Sequence, residues 1–231
     1  MYPPTLGAKV DQVRKRLEEA RKCAPAVFAS SFGAEDMVLF DLIARDFREI
    51  EICTLDTGRL PPETYDLIQQ ASAAYRRKVR IYSPQHEAVE SFVRVNGING
   101  FLDSISQRKG CCEVRKLEPL KRALAGKRAW ITGLRRDQSV TRLELDEVAF
   151  DETQGLYKFS PLAEWTAEDV WSYIRSRSVP YNALHDRGYP SIGCAPCTRA
   201  VAAGEDIRAG RWWWESSATK ECGLHPPGVK A

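Results

Sequence analysis

No stretch of the 231-residue chain approaches the roughly 20 consecutive apolar residues that a membrane-spanning helix needs, so no membrane partner is expected. A surplus of one charge is also missing: 34 Lys and Arg stand against 31 Asp and Glu, a net +3. That balance leaves nothing to drive non-specific nucleic-acid binding, and any anionic ligand has to be caught by local basic clusters. Met1–Val10 contains no basic segment followed by an apolar core, so no signal peptide is expected there. Internal repeats and low-complexity tracts are absent. So are two common nucleotide signatures, the Gly-Lys-Ser/Thr end of a Walker loop and the Gly-x-Gly-x-x-Gly fingerprint. What the chain does have is cysteine: seven, against three histidines. An odd count in a chain without a signal peptide speaks against a secreted disulfide framework and for a reducing, cytoplasmic setting. These thiols are then ligands, nucleophiles or core filler. The length suits one α/β domain, or a domain with an appended lobe, and is enough to bury a real core.

Hydrophobic periodicity predicts a helix over residues 8–22, with Val10, Val13 and Leu17 on one face. Short apolar runs at Ala26–Ala29, Ile50–Leu55, Val79–Tyr82 and Ala129–Gly133 read as buried strands. Helices are expected over Met37–Phe47, from about Pro62, over Gln85–Val95, and from Cys111-Cys112 to Leu124. Val148–Phe150 and Leu156–Phe159 are β-like, and Thr166 with Asp169 forms a capping box ahead of a helix to Arg177. Strands alternating with helices over residues 25–165 predict an α/β fold, a doubly wound and mainly parallel sheet. Such sheets bind ligands beyond the carboxyl ends of their strands, so three loops that follow strands should meet on one edge: 30–36, 56–59 and 134–139.

The first loop, Ser30-Ser31-Phe32-Gly33-Ala34-Glu35-Asp36, leads into a helix N-terminus, where free N–H groups and the dipole attract an anion. A plain capped βα turn, with Glu35 and Asp36 complementing the dipole, accounts for it equally well. Asp56-Thr57-Gly58 suits a ribose or simply an Asx-type turn. Arg135 and Arg136 are either solvated charge or anion contacts. Arg208 and Arg211 are suited to bidentate phosphate or sulfate contacts, beside a Trp212-Trp213-Trp214 run that reads as packing.

Cys111-Cys112 and Cys194-x-x-Cys197 supply four thiols in two pairs, a set that suits zinc or an iron–sulfur cluster. Adjacent cysteines wrap one small ion badly, whereas a cubane with irons at separate corners accepts them, so the spacing favours a 4Fe–4S cluster. Cys23 and Cys53, beside or within apolar strands, read as core. Cys222, flanked by Lys220 and His225, is either a low-pKa nucleophile or an incidental tail cysteine.

Together these segments resemble the bacterial assimilatory sulfonucleotide reductases, specifically the iron–sulfur adenylyl-sulfate (APS) reductases. The matching residues are Ser30–Asp36, Leu55–Gly58, Cys111-Cys112 with Arg115-Lys116, Gly133–Ser139, Cys194-x-x-Cys197, Arg208 and Arg211 with the Trp run, and Glu221-Cys222-Gly223-Leu224-His225. The resemblance spans about residues 28–225, and the double cysteine pair with the terminal Glu-Cys-Gly-Leu-His is its specific part. It implies an adenine-nucleotide α-hydrolase-like fold over 1–205, carrying one 4Fe–4S cluster on Cys111, Cys112, Cys194 and Cys197. A C-terminal cysteine-bearing catalytic tail over 206–231 is expected to close over bound substrate. The resemblance also implies attack of Cys222 on the sulfur of APS, displacing AMP. Thioredoxin or a glutaredoxin-like dithiol then reduces the S-sulfocysteine and releases sulfite. Ser30, Ser31, Phe32, Gly33, Glu35, Asp56, Thr57, Gly58, Arg135, Arg136, Arg208 and Arg211 fall at the substrate. Lys116, one turn after Cys112, reaches both cluster and substrate, and His225 tunes Cys222 or orients the tail.

Members that use the 3′-phosphorylated substrate (PAPS) typically lack the four cluster cysteines, which tips the expectation to APS. A PP-loop tRNA-thiolating enzyme shares the implied fold but expects Ser-Gly-Gly-x-Asp-Ser where this chain has Ser31-Phe32-Gly33-Ala34-Glu35-Asp36. A zinc-stabilised redox-sensing module is the non-enzymatic alternative. Homo-oligomeric assembly is compatible with all of these.

Overall fold

Every strand expected from the sequence lies in one six-stranded sheet of order β3-β2-β1-β4-β6-β5, in a computed structural model that describes residues 4–138 and 142–215. The strands are β1 (Ala26–Ala29), β2 (Glu51–Leu55), β3 (Arg80–Tyr82), β4 (Ala129–Ile131), β5 (Val148–Asp151) and β6 (Leu156–Phe159). All neighbours pair in parallel except the β5–β6 hairpin at one edge. The helices are α1 (Pro4–Lys22), α2 (Ala34–Asp46), α3 (Pro62–Tyr75), α4 (His86–Asn96), α5 (Ile105–Cys112), α6 (Glu118–Leu124) and α7 (Ala167–Arg177). None of them is long and apolar enough to cross a membrane.

Side chains alternate across the pleat, so each strand feeds two cores. Phe28, Ile52, Ala129, Ile131 and Phe159 face a large core closed by α1, α2, α3 and α7. Val27, Cys53, Tyr82, Trp130 and Leu156 face the opposite side, where Leu120, Ala123 and Leu124 of α6 cover them. The sheet is therefore doubly wound, as expected. Helix α1 is longer than its predicted span: Leu6, Val10, Val13, Leu17 and Ala20 recur at three- and four-residue intervals and are all buried. Thr166 and Asp169 form the anticipated capping box at α7, and Lys9 Nζ reaches Asp169 Oδ2 at 2.5 Å, tying α1 to α7.

One expectation is corrected. Cys111-Cys112 does not head a helix: α5 begins at Ile105, capped by Ser104, and the cysteines sit at its C-terminal end. A π-helical turn, Glu113–Leu117, joins α5 to α6 without a break. Residues 105–110 lack the apolar periodicity that marks a helix, which is why the start was missed.

The large core also holds a carboxylate. Asp41 of α2 is fully buried and accepts hydrogen bonds from Tyr75 Oη of α3, Tyr173 Oη of α7 and Arg45 Nε, each at 2.7 Å. Three helices thus meet on one side chain. Asp41→Ala leaves two tyrosine hydroxyls and a guanidinium without their acceptor and is expected to destabilise the fold by about 3 kcal/mol or more. Denaturant unfolding measures it, and an unchanged midpoint would mean the node contributes nothing.

Candidate active site

Strands β1 and β4 lie side by side, but the chain leaves β1 toward α2 on one face and reaches β4 from α6 on the other. This is the topological switch point, where the strand ends leave a crevice. A cavity of about 250 Å³ opens there, walled by Ser30, Ser31, Gly33, Glu35 and Asp36 after β1, Thr57 after β2, and Thr132–Arg135 after β4. Arg208, Arg211, Lys116 and His185 complete it from the far side. Burial pushes the pKa of His185 down, partly opposed by the carbonyl of Tyr189, so the imidazole is neutral near pH 7.

The loop after β1 is built to present backbone. Ser30 Oγ accepts from Phe32 N at 3.1 Å and Ser31 Oγ from Gly33 N at 3.3 Å, folding the segment into a tight turn. Phe32 takes a left-handed φ of 59° and its ring is buried in the main core, so it anchors the loop and does not line the cavity. Gly33 caps α2 without a side-chain hydrogen bond, which leaves the first N–H groups of that helix to the cavity.

Asp36 points inward rather than toward solvent. Its Oδ2 accepts from Ser31 N at 2.5 Å and Ser31 Oγ at 2.7 Å, and the carboxylate also takes the N–H of Gly133 after β4. Any Cβ at position 133 would collide with Asp36 Oδ1, so glycine is required for the two loops to meet. Burial pushes Asp36 up from 3.8 to about 6, with the Ser31 donors opposing. A carboxylate raised on folding adds stability that is fully present below the unfolded pKa and is lost as pH rises through the folded one. Relative to Asp36→Asn, the wild type is expected to gain about 1.4 kcal/mol at pH 5 over pH 8. Urea unfolding of both proteins at the two pH values checks this; a difference that stays constant with pH counts against it.

The other expected contacts sort unevenly. Arg135 is buried in the cavity wall, where Nη2 pairs with Glu35 at 2.9 Å, Nη1 with Asp137 at 3.0 Å, and Nη1 also donates to the carbonyl of Trp165. It is a strut between the loops after β1 and β4. Arg136 pairs with Glu164, donates to the carbonyl of Leu145 and borders neither cavity. Asp56 makes the Asx-type turn, accepting from Gly58 N at 2.8 Å and from Tyr65 Oη at 2.7 Å. Its neighbour Thr57 faces inward. Ser139, Cys222 and His225 lie outside the described residues.

A second, smaller cavity adjoins the first. Cys111, Cys112, Cys194 and Cys197 all line it, so the fold brings together two pairs 82 or more residues apart in sequence. The remaining walls are Phe101, Pro196 and Trp212 with five cationic side chains: Arg59, Arg108, Arg115, Lys116 and Arg211. Among the described residues no three Cys, His, Asp or Glu side chains close in tightly enough to grip a single metal ion. Burial pushes Cys111 up and Cys197 up to about 12, so these thiols stay protonated unless a metal centre replaces the proton. Cys194 Sγ donates to Thr57 Oγ1 at 3.3 Å, and Arg115 Nη1 donates to the carbonyl of Thr57 at 2.7 Å. Gly193 lies so close under Arg211 that a Cβ would meet its guanidinium. Lys116 and Arg211 border both cavities.

Sequence reasoning passed over Arg59 and Arg108, and quoted Arg115 beside Lys116 without giving it a role at the site. Two of them carried a signal: Arg108 precedes Cys112 by four residues and Arg115 follows Cys111 by four, the spacing that stacks side chains on one helix face.

Residues 25–200 match the family model of the phosphoadenosine phosphosulfate reductase domain, well over half of the chain. The chain belongs to the phosphoadenosine phosphosulfate reductase family. Within it, the chain is 57% identical to an adenosine 5′-phosphosulfate reductase of Allochromatium vinosum, covering 89% of this chain and 80% of that protein. An adenosine 5′-phosphosulfate reductase of Burkholderia cepacia is 51% identical, with 96% and 89% covered. Among solved structures, a phosphoadenylyl-sulfate reductase from Candida auris in a phosphate complex superposes with a TM-score of 0.69 at 30% identity, covering 82% of this chain and 90% of that one. Yeast FAD synthetase, at 13% identity and a TM-score of 0.54, shares the fold alone.

Proposed function

We propose that this chain reduces adenosine 5′-phosphosulfate to sulfite and AMP in assimilatory sulfate reduction, through an S-sulfocysteine on Cys222. The observation that carries the reading is the adjoining pair of cavities: an anion-ready crevice at the switch point and a four-cysteine chamber, with Lys116 and Arg211 in the wall of each. The relatives named as APS reductases, at 57% and 51% identity, support APS as the substrate.

The loop over Ser30–Asp36 and the free N–H groups of α2 would receive the AMP phosphate, and Arg208, Arg211 and Lys116 would offset its charge as it leaves. The Cys222 thiolate forms a bond to the sulfonate sulfur, and the S–O bond to AMP breaks with its electron pair on the phosphate oxygen. A dithiol of the thioredoxin or glutaredoxin class then attacks Cys222 Sγ; the electron pair of the S–S bond leaves with sulfite, and the second thiol frees Cys222. The tail over 206–231 delivers the nucleophile. A reducing, cytoplasmic compartment suits free thiols and such a dithiol.

The small chamber fits a 4Fe–4S cluster held by Cys111, Cys112, Cys194 and Cys197. Its donor set is four thiols, which favours a soft, sulfur-rich group. Buried donors at Arg211 Nε and Trp212 Nε1 have no acceptor among the described residues, as suits groups aimed at an anionic, sulfur-rich centre. Bound there, the cluster would supply charge and rigidity rather than electrons.

Anaerobically purified protein, assayed for iron, sulfide and sulfite release with thioredoxin, tests the reading. Brown protein that releases sulfite from APS well ahead of PAPS is the expected result. Preference for PAPS would move the chain to the phosphorylated substrate, and colourless protein with stoichiometric zinc and no turnover would defeat the enzyme reading.

A further inference from the structure

Each of the two adjacent cysteines has a guanidinium of its own. Arg115 hydrogen-bonds Cys111, Arg108 hydrogen-bonds Cys112, and both cations line the cysteine chamber. What holds these cations from behind differs. Arg115 donates to the carbonyl of Thr57, Arg59 to the carbonyl of Ile98 and to Asn99 Oδ1, and Arg211 to Ser191 Oγ and the carbonyl of Ile192. Those acceptors are neutral, so the three charges stand in full beside the chamber. Arg108 instead holds a carboxylate: Nε donates to Glu215 Oε1 at 2.7 Å and Nη2 to Oε2 at 2.9 Å, with side chains 1% and 3% exposed. The guanidinium also stacks over the Trp212 ring, 4.6 Å from its centroid, which fixes its plane.

A buried ion pair is weak evidence for stability, because desolvating two charges offsets most of their attraction. The orientation of this one supplies another reason for it. Arg108 faces the chamber, whereas Glu215 stands behind it and is no part of the chamber lining.

We propose that Arg108–Glu215 is a charge-balanced donor to Cys112 that sets the reduction potential of the cluster, with Glu215 holding that potential down. The inference rests on the reading of the chamber as a cluster site. Net charge and hydrogen bonds to the sulfurs are two main controls on the potential of such a group. A cation beside it favours the extra electron of the reduced form and raises the potential; a carboxylate behind that cation takes the effect back. In a buried site little mobile salt screens either charge. The pair thus gives Cys112 a hydrogen bond without the full charge that the other three guanidiniums carry. A centre that supplies charge rather than electrons, beside thiols that act as reductants, needs that restraint. Arg108 and Glu215 act through Cys112, so both are positioning residues. Neither borders the nucleotide cavity, which makes AMP affinity an independent control.

Two substitutions with opposite expected signs test this in the holoprotein. Glu215→Gln keeps the shape and unbalances Arg108; Arg108→Gln removes the cation. The cluster is photoreduced anaerobically at poised potentials and its reduced fraction read by electron paramagnetic resonance. Iron, sulfide and AMP affinity are measured on the same samples. At a fixed potential the reduced-to-oxidised ratio is expected to rise at least 10-fold in Glu215→Gln and to fall at least 10-fold in Arg108→Gln, a tenfold change being about 59 mV for one electron. Arg108→Lys, which keeps the charge, should lie between wild type and Arg108→Gln. Iron content and AMP affinity should stay within 2-fold of wild type. Shifts of the same sign in both variants, or none in Glu215→Gln, overturn the proposal. Loss of iron from both also overturns it, making the pair a plain structural support of the chamber wall. Wild-type protein that holds no iron defeats the cluster reading and the proposal with it, whereas brown wild type with unshifted variants defeats the proposal alone.

Discussion

Cys222→Ser is expected to abolish sulfite release, lowering kcat roughly 10³-fold or more while leaving AMP affinity and iron content unchanged. Serine keeps nearly the same volume but replaces a thiol of ordinary pKa about 8.5 by a hydroxyl that is scarcely ionised near neutrality. A sulfonated oxygen would also offer the dithiol no S–S bond to reduce, so the second half of the cycle fails even if the first were to proceed. The measurement is sulfite release under multiple turnover, beside AMP binding. Turnover at more than a few per cent of wild type would remove Cys222 from the mechanism and leave the tail without a chemical role.

The second large effect is expected at Lys116. It borders both cavities from the π-helical turn Glu113–Leu117, which follows Cys112 directly. Its ammonium also draws the buried Cys197 thiol toward ionisation, against the stronger upward push of burial. Preorganised charge beside a leaving phosphate is worth most in a dry site, and removing one such group elsewhere costs about 10²–10³ in rate. Lys116→Ala is therefore expected to lower kcat/KM for APS about 10²-fold or more, with Lys116→Arg recovering part of it. Steady-state kinetics of the two variants separate charge from shape. Equal losses in both would show that the compact ammonium, rather than its charge alone, is needed. No loss in either would place Lys116 outside the reaction.

How far the sequence could be read follows from the physics of each signal. Strand and loop positions around Ala26–Ala29, Glu51–Leu55 and Ala129–Ile131 were legible because buried parallel strands are nearly pure apolar runs bounded by turn residues. The convergence of the loops after β1, β2 and β4 followed from the winding rule and needed no coordinates. The four cysteines were legible as a set because thiols in such pairs have few structural uses. The start of α5 was not, since residues 105–110 bury little and carry no period. Asp36 read, in one of two evenly matched readings of its loop, as a partner of the helix dipole, whereas it faces inward and joins two loops. That choice depends on Gly133 approaching from 97 positions away, which no local pattern encodes.

The sequence by itself determined the doubly wound sheet, the edge on which its loops gather, and the residue types that could carry the chemistry. Those follow from local periodicity, turn residues and the handedness of crossovers, which are properties of neighbours along the chain. Only the tertiary structure decided which charges face the substrate and which hold the walls together. Arg135 and Arg136 look alike in sequence, yet one is buried as a strut on Glu35 and the other is turned out to Glu164. Arg208 and Arg211 border the crevice, and Arg108, marked in the sequence only by its spacing from Cys112, lines the cysteine chamber and pairs with Glu215. A charge is assigned by the partner that reaches it first in three dimensions, and those partners lie from 28 to 107 residues away.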